Sequence, residues 1–235
     1  MKSILLLFLS LSFVASAQVK SPRTCRVIFL KAPQSAPETL HLFDGVTSQE
    51  VELPAMNFSP VYQISPSATS LRLLPKAPVK PEDINPAAPE VKIAADVTDF
   101  YLFVASDLTN VVVPVRFSLI RADQATFKNG QMLWFNLSDK SVGGQLGSQR
   151  LALAPNGRSV IDAPATQNDD FKISLGFYIS GDKKLYPLAD TQWQFNPSVR
   201  QVYFVINEPG SRTPRVLGFP DRREPKVQAA TGTAE

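Results

Sequence analysis

The sequence predicts an all-β protein built as two tandem immunoglobulin-like β-sandwich modules, with one larger β-sandwich as the alternative. Three observations point there. The apolar stretches are short and bounded by Pro, Asn, Asp and Ser. Several alternate apolar and polar residues at period two, and none after residue 17 holds an amphipathic helical period over three turns. Strand-like blocks also recur in the same order about 100 residues apart.

Taken in order, Val27 to Leu30 is the first strand. Thr39 to Phe43 is the second and ends in the turn pair Asp44-Gly45. Glu50-Val51-Glu52-Leu53 alternates, and Leu71-Arg72-Leu73 does so briefly. Phe100 to Val104 is apolar without interruption, as a strand buried on both faces would be. Strands are expected over Val111 to Val115, Phe117 to Ile120, Met132 to Leu137, Arg150 to Leu153 and Val160-Ile161. Phe171, Ile173, Leu175 and Phe177 alternate with Lys172, Ser174, Gly176 and Tyr178, the cleanest one-face pattern in the chain. Val202 to Ile206 and Arg215 to Phe219 close the series.

A shift of 100 residues lays Leu53 on Leu153, Ser59 on Ser159 and Leu71-Arg72-Leu73 on Phe171-Lys172-Ile173. A shift of 102 lays Tyr101-Leu102-Phe103 on Tyr203-Phe204-Val205, and a similar one brings Val27-Ile28-Phe29 onto Leu133-Trp134-Phe135. The expected organisation is a leader over 1–17, one module over 18–122, a second over 123–220 and a disordered tail over 221–235. The Pro-rich stretch 74–89 (Pro75, Pro78, Pro81, Pro86, Pro89) reads as extended, semi-rigid chain. It is expected as a long loop within the first module, with a linker between domains as the alternative.

Composition bounds the function. A short basic start at Lys2, an apolar run Ile4 to Val14 and the small-residue site Ala15-Ser16-Ala17 form an export signal, with Gln18 the expected mature N-terminus. The run is too short for a spanning helix. Cys25 follows Arg23-Thr24, which is not a lipoprotein cleavage context. The protein is therefore expected in the periplasm or outside the cell. One Cys and one His in 235 residues leave no parts for an intramolecular disulfide, a Cys-rich zinc site or a multi-His metal centre. The net charge of +3, with 24 basic and 21 acidic residues, describes a mixed surface and no nucleic-acid footprint. Cys25 is expected partly buried at a strand start.

Arg26-Val27-Ile28-Phe29-Leu30, then Pro33, Ala36-Pro37 and Leu40-His41-Leu42-Phe43-Asp44-Gly45, resembles the opening of bacterial secreted domains of unknown function. Met132 to Ser138 looks like the same opening strand used again. This chain has Gln34-Ser35 where those domains carry an acidic residue before the Ala-Pro. The resemblance covers about the first forty residues of each module. It implies an exported β-sandwich and supplies no catalytic residues.

His41 is the only candidate base for a Ser–His–Asp triad, yet it sits in Leu40-His41-Leu42 and reads as an outward or half-buried strand residue. Gly143-Gly144 with Gly147 lacks the Lys-Ser/Thr of a phosphate loop and reads as a turn. Asp169-Asp170 would point to opposite faces if extended, whereas Glu50 and Glu52 would share a face at about 7 Å. Alternating Glu is also what an exposed strand shows. Trp134 is expected in the core. Trp193, between Gln192 and Gln194, is expected in the core or at a module interface, and with Tyr178 it would be the first suspect in a sugar-binding platform. No catalytic residue, metal or cofactor is expected. The leading expectation is a non-catalytic exported envelope protein that binds another protein or serves in structural assembly. A carbohydrate-binding module that takes a polysaccharide comes second, and a carboxylate-dependent hydrolase third.

Overall fold

A computed structural model describes residues 23–182 and 184–222. The leader expected over 1–17 and residues 223–235 of the expected tail lie outside the described residues. The strands in chain order are β1 (Arg23–Phe29), β2 (Thr39–Phe43), β3 (Ser48–Glu52), β4 (Tyr62–Ile64), β5 (Ser70–Leu74), β6 (Glu90–Lys92), β7 (Asp99–Ser106) and β8 (Val115–Arg121). They continue as β9 (Met132–Asn136), β10 (Ser141–Leu146), β11 (Gln149–Leu153), β12 (Arg158–Ile161), β13 (Asp170–Tyr178), β14 (Leu185–Gln194), β15 (Arg200–Ile206) and β16 (Arg215–Asp221). A 3-10 turn at Pro81–Asp83 is the only helical element among the described residues, and no described helix is long and apolar enough to cross a membrane.

These strands form four sheets of four. Sheet A has the order β4-β1-β7-β8 and sheet B the order β3-β2-β5-β6. Sheet C is β12-β9-β15-β16 and sheet D is β11-β10-β13-β14. Adding eight to each strand number of A and B gives C and D, so the second half of the chain repeats the strand order of the first. In each half the opening strand pairs in parallel with the seventh: β1 with β7, from Thr24↔Asp99 to Phe29↔Val104, and β9 with β15, from Met132↔Gln201 to Asn136↔Val205. A parallel pair needs a long crossover, and here the crossover holds all four strands of the other sheet.

Burial follows the period of two. Val27, Phe29, Leu102 and Val104 of sheet A meet Leu42, Val51, Leu71 and Leu73 of sheet B in one core. Met132 and Trp134 of sheet C meet Val142, Ile173 and Leu175 of sheet D in another. The intervening positions make a third apolar layer, in which Ile28 and Tyr101 of sheet A pack against Leu133, Phe135, Phe204 and Phe219 of sheet C. This explains the unbroken apolar run at Phe100 to Val104: β7 has a sandwich core on one face and the neighbouring sandwich on the other. Burying each of those large side chains contributes roughly 1.5–3 kcal/mol.

The Pro-rich stretch joins β5 to β6, which are neighbours in sheet B. Several expectations need correction. Val111 to Val115 is not a strand. Residues 107–114 form a loop in which the Asn110 side chain accepts from the N–H groups of Val112 and Val113, at 3.0 and 3.1 Å. Gly143 and Gly144 do not form a turn; they lie within β10. Gly144 has φ +149°, and a Cβ there would sit 2.0 Å from the Ser174 carbonyl oxygen of β13, so only glycine lets those backbones approach. Asp221, assigned to the tail, is the last residue of β16 and is buried. Finally, the shift of 102 lays Tyr101 on Tyr203, yet Tyr101 faces the layer between the sandwiches and Tyr203 faces the second core. A one-residue slip reverses every face of a strand, and the pairing of Ile28 with Trp134 fails in the same way.

Gly144→Ala is expected to cost at least ~2 kcal/mol and lower the melting temperature by roughly 5–10 °C. Gly45 has φ +89° with open space around a Cβ, so Gly45→Ala is expected to cost about 1 kcal/mol. Thermal unfolding followed by circular dichroism checks both.

Candidate functional site

The charged groups concentrate where the two sandwiches meet. Arg200 opens β15 and Asp221 closes β16, and the ladder places them directly opposite each other. The Arg200 guanidinium is almost wholly buried. It donates to Asp221 Oδ2 from Nη2 at 2.6 Å and from Nε at 3.1 Å, and to Asp99 Oδ2 at 3.0 Å. Its remaining N–H groups reach the carbonyls of Ala122 and Phe127, and its plane lies over the Phe127 ring at 5.2 Å. Asp221 also accepts from Arg26 at 2.7 Å and from the Tyr101 hydroxyl at 2.6 Å. Burial works against the charge of Arg200, but Tyr101, Asp221 and Asp99 outweigh it and raise its pKa. Arg26, Asp99 and Tyr101 belong to sheet A, whereas Arg200 and Asp221 belong to sheet C. The network is a bolt between sandwiches, with every charge answered. Within it Asp221 is shared by Arg26, Arg200 and the Tyr101 hydroxyl.

Asp123 follows the same logic just after β8. Burial pushes its carboxyl up. The Thr98 hydroxyl and N–H, Arg121 and the Asp99 N–H outweigh that and hold the pKa at about 2.

The residues singled out in the sequence are scattered. His41 lies on the outer face of sheet B, with Nε2 3.9 Å from Glu50 Oε2 and Nδ1 buried without a partner. No serine hydroxyl bonds it among the described residues, and the nearby Ser48 Oγ is likewise unpartnered. Glu50 and Glu52 share that outer face and are exposed, as an ordinary solvent-side strand would have them. Asp169 caps the start of β13 by accepting from the Asp170 N–H. Among the described residues no group of three or more His, Cys, Asp and Glu is placed to hold a metal ion. Cys25 is fully buried at β1.

The two aromatic suspects part company. Trp193 is half-buried and stacks on Tyr203 at 4.9 Å, and Tyr203 stacks on fully buried Trp134 at 4.4 Å. Burial drives the Tyr203 phenol pKa well up. These three rings belong to the second core and not to the layer between the sandwiches. Tyr178 stands at the far end of β13, opposite Leu185, whereas Trp193 is opposite Phe171. At about 3.3 Å per residue the two are roughly 23 Å apart and form no shared platform. Tyr178 and Leu185 instead edge a shallow depression of about 540 Å³ on the outer face of sheet D, floored by Gly143, Ala152 and neighbouring backbone.

The three most exposed large apolar side chains among the described residues lie in the Pro-rich segment and in the loop between β7 and β8. Val79 is 89% exposed, Leu108 83% and Val111 84%. Side-chain hydrogen bonds brace these loops. Asp107 accepts from Thr109, Asp83 from the Lys80 N–H and Asn85 from the Ala87 N–H. Asn110 Nδ2 ties the two loops by donating to the Ala87 carbonyl at 3.0 Å. A groove of about 520 Å³ lies alongside, lined by Leu74, Pro78, Val79 and Val112 among others. The bolt and the loop cluster were not anticipated. The available signal was positional: Asp99, Arg200 and Asp221 each flank an apolar run at a strand end. No protein-family model and no curated protein matches this chain.

Arg200→Met leaves Asp221 and Asp99 short of a cation and is expected to cost about 3–5 kcal/mol in chemical denaturation. Asp123 has a depressed folded-state pKa, so its contribution is whole above its ordinary value near 3.8 and is lost as pH falls toward about 2. The melting-temperature gap between the wild type and Asp123→Asn is therefore expected to stay constant above pH about 5 and to close on acidification.

Proposed function

We propose that this is a non-catalytic, exported protein of the cell envelope that acts by binding another protein. The supporting observation is the loop cluster at the Pro-rich end of the first sandwich. Val79, Leu108 and Val111 are held in the open by side-chain caps rather than folded away. An exposed apolar cluster on a soluble surface favours contact with a second apolar surface, and loops already fixed in place lose little entropy on binding. The bolt between the sandwiches complements this reading, since it keeps two modules acting as one rigid support. The leader pattern and the signal-type cleavage site support export. A second reading, binding of a polysaccharide, draws on Tyr178 at the depression on sheet D.

Crosslinking in intact cells, followed by capture and mass spectrometry, is expected to return a reproducible protein partner. The triple variant Val79→Ser, Leu108→Ser, Val111→Ser is expected to reduce its recovery at least about tenfold with an unchanged melting temperature, because these side chains contribute nothing to the core. Undiminished recovery would reject this surface. Glycan capture lost in Tyr178→Ala would favour the second reading, and hydrolysis abolished by changing one carboxylate would overturn both.

A further inference from the structure

Among the described residues β14 is the longest strand and hydrogen-bonds only β13, which leaves its other edge without a strand partner there. Two bonds fix the phase of that ladder. Phe195 N–H donates to the Asp169 carbonyl at 2.9 Å, and Gly147 N–H donates to the Lys172 carbonyl at 2.8 Å. Lys172 thus faces β10, and Phe171 and Ile173 face β14, where they bond Trp193 and Thr191. By alternation Asp190, Gln192 and Gln194 turn their N–H and C=O groups away from the sheet. All three side chains are exposed.

Natural edges are blunted by Pro, Lys or bulges. On β14 the blunting is confined to the first half. Pro187 lies there, and the register shift at Leu175/Gly176 leaves Leu188 as an extra residue. The second half carries none of these devices. Its one charge, Asp190, is offset by Lys172 at 3.9 Å. The segment is also complementary to itself. A two-fold axis at Gln192 sets Gln192 against its own copy and Asp190 against Gln194 of the other chain. No like charges meet, and each carboxylate faces an amide that can donate to it.

We propose that Asp190–Gln194 of β14 pairs antiparallel with the same segment of a second copy of this chain, joining two D sheets into one continuous sheet across a two-fold axis. The pairing supplies about six main-chain hydrogen bonds and covers half-buried Trp193. This rests on the binding and assembly reading above and names one partner within it: the chain itself.

Sedimentation equilibrium of the purified protein over a wide concentration range tests the pairing, together with amide hydrogen exchange. The expected result is a rise toward twice the monomer mass, with exchange at Asp190, Gln192 and Gln194 slowing as concentration rises. Gln192→Pro removes an outward N–H that the fold does not use, and Gln192→Lys with Gln194→Lys restores an ordinary guarded edge without touching backbone geometry. Both are expected to stay monomeric with native melting temperatures. A monomer at every concentration would overturn the proposal, as would a dimer that persists in the lysine variant with these amides exchanging fast. Neither result bears on the loop cluster, whose own capture experiment uses residues in the other sandwich.

Discussion

The pairing of Arg200 with Asp221 sets the geometry of the whole molecule. Each residue is the terminal member of its strand, the two are cross-strand partners in sheet C, and together they reach Asp99, Arg26 and Tyr101 of sheet A. A guanidinium taken out of water carries a large desolvation penalty. Here that penalty is offset by two carboxylates, two main-chain carbonyls and an aromatic face. The directional bonds fix how sheet A lies on sheet C, which the surrounding phenylalanines alone would leave less specific. The apolar layer supplies the attraction and the ion network supplies the orientation. Phe103 and Phe135 stack on Phe204 at 5.7 and 5.3 Å within that arrangement.

The two proposed contact surfaces lie on different sandwiches, and Gln194 at the end of β14 lines a small pocket with Val199, Pro220 and Arg222 beside this junction. The loop cluster extends from the first sandwich and the open β14 edge belongs to sheet D of the second. The junction ties together the two sandwiches that carry these surfaces. The low-pKa carboxylates serve the same end: Asp123 pins the strand that follows Thr98 and Asp44 pins the β2–β3 turn.

The fold class was legible because core strands announce themselves. Residues 171–177 alternate without error, and the run at 100–104 stated its two-sided burial before any partner was known. The repeat was legible in sheets B and D, where Leu53 matches Leu153 and Leu71 matches Phe171 face for face. In sheets A and C it was misread by one residue, because both faces of those strands are apolar and alternation cannot fix the phase. β10 was missed because Gly143-Gly144 imitates a turn, and β14 because Pro187 and an extra residue interrupt its pattern. Val111 to Val115 deceived in the opposite sense: its valines are β-prone, but Asn110 and Pro114 hold the chain in a loop. Of the bolt only the strand-end positions of its members were legible, since Asp99, Arg200 and Asp221 are far apart in sequence and only the sheets bring them together.

The parallel pairing of first and seventh strands has a consequence for the order of assembly. β1 cannot take its central place in sheet A until β7, some seventy residues later, is available, and β9 waits in the same way for β15. Such non-local closure is slow, because loop entropy must be lost before contacts reward it. A chain made from its N-terminus thus holds β1, with its apolar faces and its thiol, exposed through most of a module's synthesis. The junction comes last of all, because Asp221 ends the final strand. The packing of one sandwich on the other is left incomplete, and its apolar layer open to proteases and aggregation, until Asp221 has been delivered.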